Sequence, residues 1–194
     1  MYSAESIARH MLWLASETAD EPTPVTQLQL HKIMYYAQGW YLHRTGSPLF
    51  SCAIQAWKHG PVVADLHARF KTFGKNPIPP SEARADPRLK PDDAEFVRSI
   101  WDSYGRFAGW RLRQMTHDEK PWLNARTGIP DDASSRKEIS HADMRAHFRL
   151  VHEQNCRRMG LDPAALDRSL ADARTGKTTE LPLRSREERK HVAR

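Results

Sequence analysis

Cysteine is scarce: only Cys52 and Cys156 occur in 194 residues, so neither a disulfide framework nor a four-cysteine zinc site can be built. Long apolar runs are absent too. The longest, Met11 to Ala15, has five residues against the roughly 20 that cross a bilayer, which excludes a membrane-spanning helix. The first fifteen residues carry Glu5, Arg9 and His10 with no basic leader before that short apolar run, so export is not expected and a reducing cytoplasm is the expected compartment. Aromatic residues are missing from the far end of the chain: all seventeen lie between Tyr2 and Phe148. A core built on them closes near residue 150, which predicts a domain over 1–150 and an extension over 151–194.

What is present fits that division. Thirty Lys and Arg against twenty-four Asp and Glu give a net charge of +6, and residues 151–194 hold ten of those cations against seven acids, so the extension carries half the excess charge. Mean hydropathy is −0.72, polar for a globular chain, yet six Trp supply large surfaces to bury. A second thinning runs from Lys75 to Pro91, with five of the thirteen prolines, and reads as a long loop between two halves of the core.

Periodicity predicts a mainly α fold: a compact bundle of about six helices with one short strand or hairpin around residues 49–58, plus a flexible C-terminal extension. Ile7, Met11, Leu14 and Ala15 share a face of a first helix over 4–17. Thr26 and Gln29 have capping-box spacing ahead of Leu30, Ile33, Met34, Ala37 and Tyr41, with Tyr36 and Trp40 on the flank, so this second helix should be central. Phe50, Cys52, Ile54 and Ala56 alternate as a strand. Gly60-Pro61 then punctuates the chain, and Val62, Leu66, Phe70 and Phe73 define a third helical face. Asp92 and Glu95 have capping-box spacing before Phe96, Ile100 and Tyr104, with Gly105 and Gly109 weakening that helix's end. Trp110, Leu112 and Met115 suggest a short helix, and Met144, Phe148 and Val151 a last core helix from about Ser140. In the extension, Asp162 and Pro163 can open a helix over 161–173, and no stable structure is expected after Gly176.

No pattern in the sequence assembles a reaction centre. Ala171-x4-Gly176-Lys177-Thr178 has the bare form of a phosphate loop but lacks a preceding strand and a following helix. His141, His147 and His152 fall on diverging faces of one helix, unlike a metal-binding i, i+4 pair. Cys52, His59 and Asp65 would make a nucleophile, base and acid only by chance of composition, with no oxyanion loop nearby. No catalytic residue, metal or cofactor is expected. Trp57-Lys58-His59-Gly60-Pro61-Val62 is more informative: Gly turns the chain and Pro fixes φ, so Lys58 and His59 would be presented at a rigid turn. Thr116-His117-x3-Pro121-Trp122 can end a helix with a Trp over the core or expose a Trp and His surface. In the tail, Arg184, Arg186, Arg189 and Lys190 could follow a phosphate backbone, although Glu187 and Glu188 interrupt them.

The ordered series Leu28-Gln-Leu-His-Lys32-Ile-Met-Tyr35-Tyr36-Ala-Gln38-Gly39, Pro48-Leu-Phe50, Ile54-Gln-Ala-Trp57-Lys-His-Gly60-Pro61-Val62-Val63, Tyr104-Gly105 and Thr116-His117-x3-Pro121-Trp122 resembles the Panacea antitoxin domain, also described as SocA-like or phage-associated GepA-like. The resemblance spans roughly residues 5 to 150, with His31 in place of an expected Gln and His67 in place of an aromatic. It implies a cytoplasmic antitoxin that binds and neutralises a protein toxin encoded beside it, and in at least one relative also delivers the toxin to an ATP-dependent protease. On that reading Tyr35, Tyr36, Trp57, Lys58, His59, Thr116, His117 and Trp122 bear the partner-binding signature, shaped by Gly60 and Pro61. Nucleic-acid binding through the basic tail is the alternative.

Overall fold

A computed structural model describes residues 1–17 and 23–174. The chain divides into two units, Met1–His147 and the part from Phe148 onward. It is mainly α, with eight α helices among the described residues and one small hairpin.

The first unit is built around its second helix. Helix α1 (Ala4–Glu17) buries Ile7, Ala8, Met11, Leu14 and Ala15 on one side, as its periodicity requires. Helix α2 (Gln27–Thr45) is instead buried almost all round, from Gln29 through Gly39 and again at Leu42. Half of its expected capping box forms: Thr26 Oγ1 accepts from Gln29 N at 3.3 Å. The Gln29 side chain does not reach back to the cap. Its Nε2 donates instead to the carbonyls of Gly105 and Phe107 at 2.9 and 3.0 Å.

The expected strand is shorter than its alternation suggested, and it has a partner. Strands β1 (Ile54–Trp57) and β2 (Gly60–Val63) pair antiparallel, with Ile54 opposite Val63 and Trp57 opposite Gly60. Val62 therefore extends a strand where a helix start was expected, and Phe50 makes only a single parallel bridge, to Tyr2. Pro61 is tolerated for a geometric reason. Its partner Ala56 directs its main chain away from β2, its N–H donating to Lys137 O at 2.8 Å and its carbonyl accepting from Arg126 Nη1 at 3.1 Å. The Ala56–Pro61 pair exchanges no ladder bonds, so the N–H that proline lacks is not needed.

Helix α3 (Ala64–Phe70) follows directly and runs into a 3₁₀ turn at Lys71–Phe73. The Pro-rich stretch to residue 90 is a loop with one 3₁₀ turn, Pro80–Glu82, but it is tied down along its length. Ile78 N donates to Val25 O at 2.8 Å, Arg84 N to Arg9 O at 3.1 Å and Asp86 N to His10 Nδ1 at 3.2 Å. Arg9 and Arg69 also share the Glu82 carboxylate, each at 2.9 Å.

Helix α4 (Pro91–Tyr104) buries Phe96, Val97, Ile100 and Trp101. It opens two residues earlier than the Asp92–Glu95 box implied: Lys90 is the cap residue, without a side-chain bond, and Pro91 supplies the preset φ of a first helical residue. Gly109 does not fray the end of α4; it begins helix α5 (Gly109–His117). A Cβ on Gly109 would lie 3.1 Å from Gln29 N, so the missing side chain lets α5 approach the start of α2. Helix α6 (Lys120–Ala125), which periodicity missed, begins with Pro121 in its first turn. The first unit ends inside helix α7 (His141–Arg158).

In the second unit the rest of α7 turns at Gly160 into helix α8 (Pro163–Arg174). Asp162 caps α8 by accepting from Ala165 N at 3.3 Å, and His152 Nε2 lies 3.2 Å from Asp167 Oδ1. Arg184, Arg186, Arg189 and Lys190, the phosphate-loop string after Arg174 and the unstructured tail expected after Gly176 lie outside the described residues.

Candidate partner-binding site

The two signature strings meet at Gly60. This residue has φ +92°, a conformation open to glycine. A Cβ there would lie 2.7 Å from Lys32 Cε, 2.9 Å from Thr116 Oγ1 and 3.3 Å from His117 Cε1. Residues from α2, β2 and α5 thus converge on a point that only a hydrogen fills. Lys32 is fully buried and donates from Nζ to Pro61 O at 2.9 Å. Burial, helped by the nearby Arg113 charge, pulls its ammonium down to about 7.

His117 and Trp122 clamp the other side of the turn. The two ring nitrogens of His117 face the carbonyls of Arg113 and Lys58 at 2.7 and 3.0 Å. Trp122 Nε1 donates to Trp57 O at 3.0 Å, and its ring centroid lies 4.1 Å from that of His117. Beneath them the Arg126 guanidinium is 5.1 Å from the centroid of the Trp122 ring. It donates to the carbonyls of Ala56, Pro130, Asp131 and Ala133 at 3.1, 2.6, 3.3 and 2.9 Å. One buried cation thereby anchors the hairpin and the 130–133 segment together.

Tyr35 and Tyr36 belong to a separate interior network. Their hydroxyls donate to the two oxygens of Glu119, at 2.8 and 2.9 Å. Burial pushes the Glu119 carboxyl up to about 7 against the pull of those two bonds. Tyr36 stacks on Tyr104 with centroids 4.0 Å apart, and Trp40 Nε1 donates to Tyr104 OH at 2.8 Å. Gln38, also fully buried, accepts from Leu49 N and Phe50 N and donates to Phe50 O, at 3.0, 3.2 and 3.0 Å.

The structure therefore sorts the ten signature residues by exposure. Tyr35, Tyr36, Gly60, Pro61, Thr116 and Trp122 are buried, Trp57 and His117 are half-buried, and Lys58 and His59 are exposed. Gly60, Pro61, Thr116 and Trp122 build a platform with Lys32, and the surface they support is the Lys58-His59 turn with the edges of Trp57 and His117. Around His59 the charges of Arg113, Lys58, Lys32 and His117 add to burial in holding its imidazole below the ordinary range.

Beside the turn lies a groove of about 780 Å³, lined in part by Trp57, Val62, Ala108 and Trp110 and rimmed by Lys58, Lys75 and Arg136. Trp110 is 62 % exposed. Lys32, Arg126, Glu119 and the groove went unread in the sequence. Lys32 and Glu119 stand beside signature residues, where a charge on a buried face was the available signal, while Arg126 and the groove left no local pattern.

The other constellations do not assemble. Cys52 and Cys156 are both buried, and burial raises the Cys52 pKa. Asp65 N donates to Cys52 Sγ at 3.5 Å, but His59 is at the opposite end of the hairpin. His141, His147 and His152 turn to different neighbours: Gln38, Glu119 and Asp167.

Residues 30–123 match the model of the family described as antitoxin SocA-like, Panacea domain. These residues are similar to a Panacea domain. Antitoxin SocA of Caulobacter vibrioides (strain NA1000 / CB15N) is 27 % identical over 120 residues, covering 56 % of this chain and 64 % of the relative. The chain thus spans under two thirds of that relative's length. No solved structure matches it. The matched segment starts on α2 just before Lys32 and ends just after Trp122, so it encloses both strings that meet at Gly60. Among the described residues no helix is long and apolar enough to cross a membrane.

Proposed function

We propose that this chain is an antitoxin that neutralises a cognate protein toxin by stoichiometric binding, in the cytoplasm, with no bond made or broken. The observation that carries the reading is the Lys58-His59 turn. Two exposed cationic or titratable side chains stand on a turn immobilised by Gly60, Lys32, Thr116, His117 and Trp122, all within or beside the motif that marks the antitoxin family. A rigid platform with a small exposed tip is what a preorganised binding surface requires, because little conformational entropy is lost on docking. Delivery of the toxin to an ATP-dependent protease would be an addition to masking, and the toxin's half-life separates the two: masking leaves it unchanged, delivery shortens it.

The test is co-expression with the protein encoded by the adjacent reading frame. The wild-type chain restores growth arrested by that protein, whereas a chain with both Lys58→Glu and His59→Glu fails to restore it while retaining the wild-type melting temperature. Full rescue by the doubly substituted chain overturns the assignment of this turn.

A further inference from the structure

The groove beside the turn holds two buried polar atoms that the fold leaves unused. His31 is 4 % exposed and lines the groove. Its Nδ1 accepts from Val63 N at 3.3 Å, so the proton of the neutral ring sits on Nε2. That Nε2 has no hydrogen-bond partner among the described residues. Four residues earlier on the same helix, Gln27 also lines the groove; its Nε2 donates to Gly74 O at 2.7 Å, and its Oε1 has no partner among the described residues. An unpaired buried donor or acceptor is costly. Here one of each stands on one helix, separated by about 6 Å of rise, close to the length of two residues of extended chain. A peptide segment, which carries an N–H and a carbonyl at every residue, can satisfy both. A strand of nucleic acid offers phosphates and bases, which match the donor but give no regular N–H to Gln27.

The walls and rim specify the rest. Trp57, Val62 and the largely exposed Trp110 provide apolar area at the centre, and aromatic anchors of this kind dominate interface energies. Lys58, Lys75 and Arg136 are exposed at the rim, and among the described residues no Asp or Glu lines the groove. A partner with carboxylates flanking apolar side chains is complementary to it.

We propose that this groove receives an extended segment of the toxin that combines apolar side chains with acidic ones, its main chain bonding to Gln27 and His31. The proposal deepens the antitoxin reading and rests on it. The test uses the full-length chain and the purified product of the adjacent reading frame in isothermal titration calorimetry. Trp110→Asp and Lys75→Glu, both at exposed positions, each weaken binding at least about tenfold, while Glu95→Lys, exposed on α4 and outside the groove, binds as wild type does. In a sample labelled at histidine nitrogen, the His31 Nε2–H resonance moves downfield on complex formation as its bond is made. If wild type binds and both groove variants bind equally well with the His31 resonance unmoved, the groove assignment is overturned and the antitoxin reading stands. If wild type does not bind that protein at all, the antitoxin reading falls and the groove assignment with it. Displacement of the bound protein by a single-stranded oligonucleotide competing for the same groove also overturns the assignment of a peptide occupant.

Discussion

At Gly60 a single hydrogen atom stands where a methyl group would press on side chains from two helices. The backbone there has φ +92° and the nearest atom to a built Cβ is 2.7 Å away. Gly60→Ala therefore combines left-handed strain with a steric clash and destabilises the fold by at least about 2 kcal/mol; a shift of the denaturation midpoint at constant slope measures it. Lys32, the closest neighbour, makes stability depend on pH. Its folded pKa is about 7 against an ordinary 10.5, so between those values the unfolded chain holds a proton that the folded chain has released. Stability from this group is therefore lowest below pH 7 and rises as pH climbs toward 10.5. In Lys32→Met that rise disappears, and stability measured at pH 7 and pH 10 shows a smaller difference than in wild type. The glycine was legible in the sequence as a turn former. What was not legible is that Lys32 lies beneath it, because a lysine inside an apolar helical face reads equally as a break in the face or as a buried cation, and only tertiary packing distinguishes them.

Among the elements, α2 is the one whose neighbours set everything else. Its apolar spacing predicted a central helix, and the burial of nearly every residue from Gln29 to Gly39 agrees. Its polar residues carry the second layer of information. Gln38 replaces a missing strand partner by bonding both N–H groups and one carbonyl of the Leu49-Phe50 segment. Gln38→Leu leaves three main-chain groups without that partner and costs at least about 3 kcal/mol, read as loss of melting temperature together with faster hydrogen exchange at Leu49 and Phe50. Such a role could not be inferred from spacing, since the two partners are eleven and twelve residues away in an irregular segment. The hairpin shows the opposite case of a local rule overridden. Gly60-Pro61 has the form of a helix start, but Lys137, Arg126 and Lys32 take up the main-chain groups around the Ala56–Pro61 pair, so the proline fits in β2. Long-range partners decided between two conformations that the dipeptide permits equally.

For the molecule as a whole, the aromatic residues and the family strings point to the same region. The unit Met1–His147 contains the whole of residues 30–123, the segment that matches the Panacea family model, and every residue of the turn and groove belongs to that unit. On the antitoxin reading this turn and groove suffice for docking, so a chain ending at Arg174 restores growth as the full chain does, a result read directly in the co-expression assay. The most direct measurement of the central claim is a titration of the purified toxin's own activity with this protein. Masking by direct contact predicts that activity falls linearly to zero at one fixed molar ratio and goes no faster with longer incubation. Progressive loss of toxin activity at far below equimolar antitoxin, as a catalyst would produce, or full toxin activity in molar excess of this protein, contradicts it.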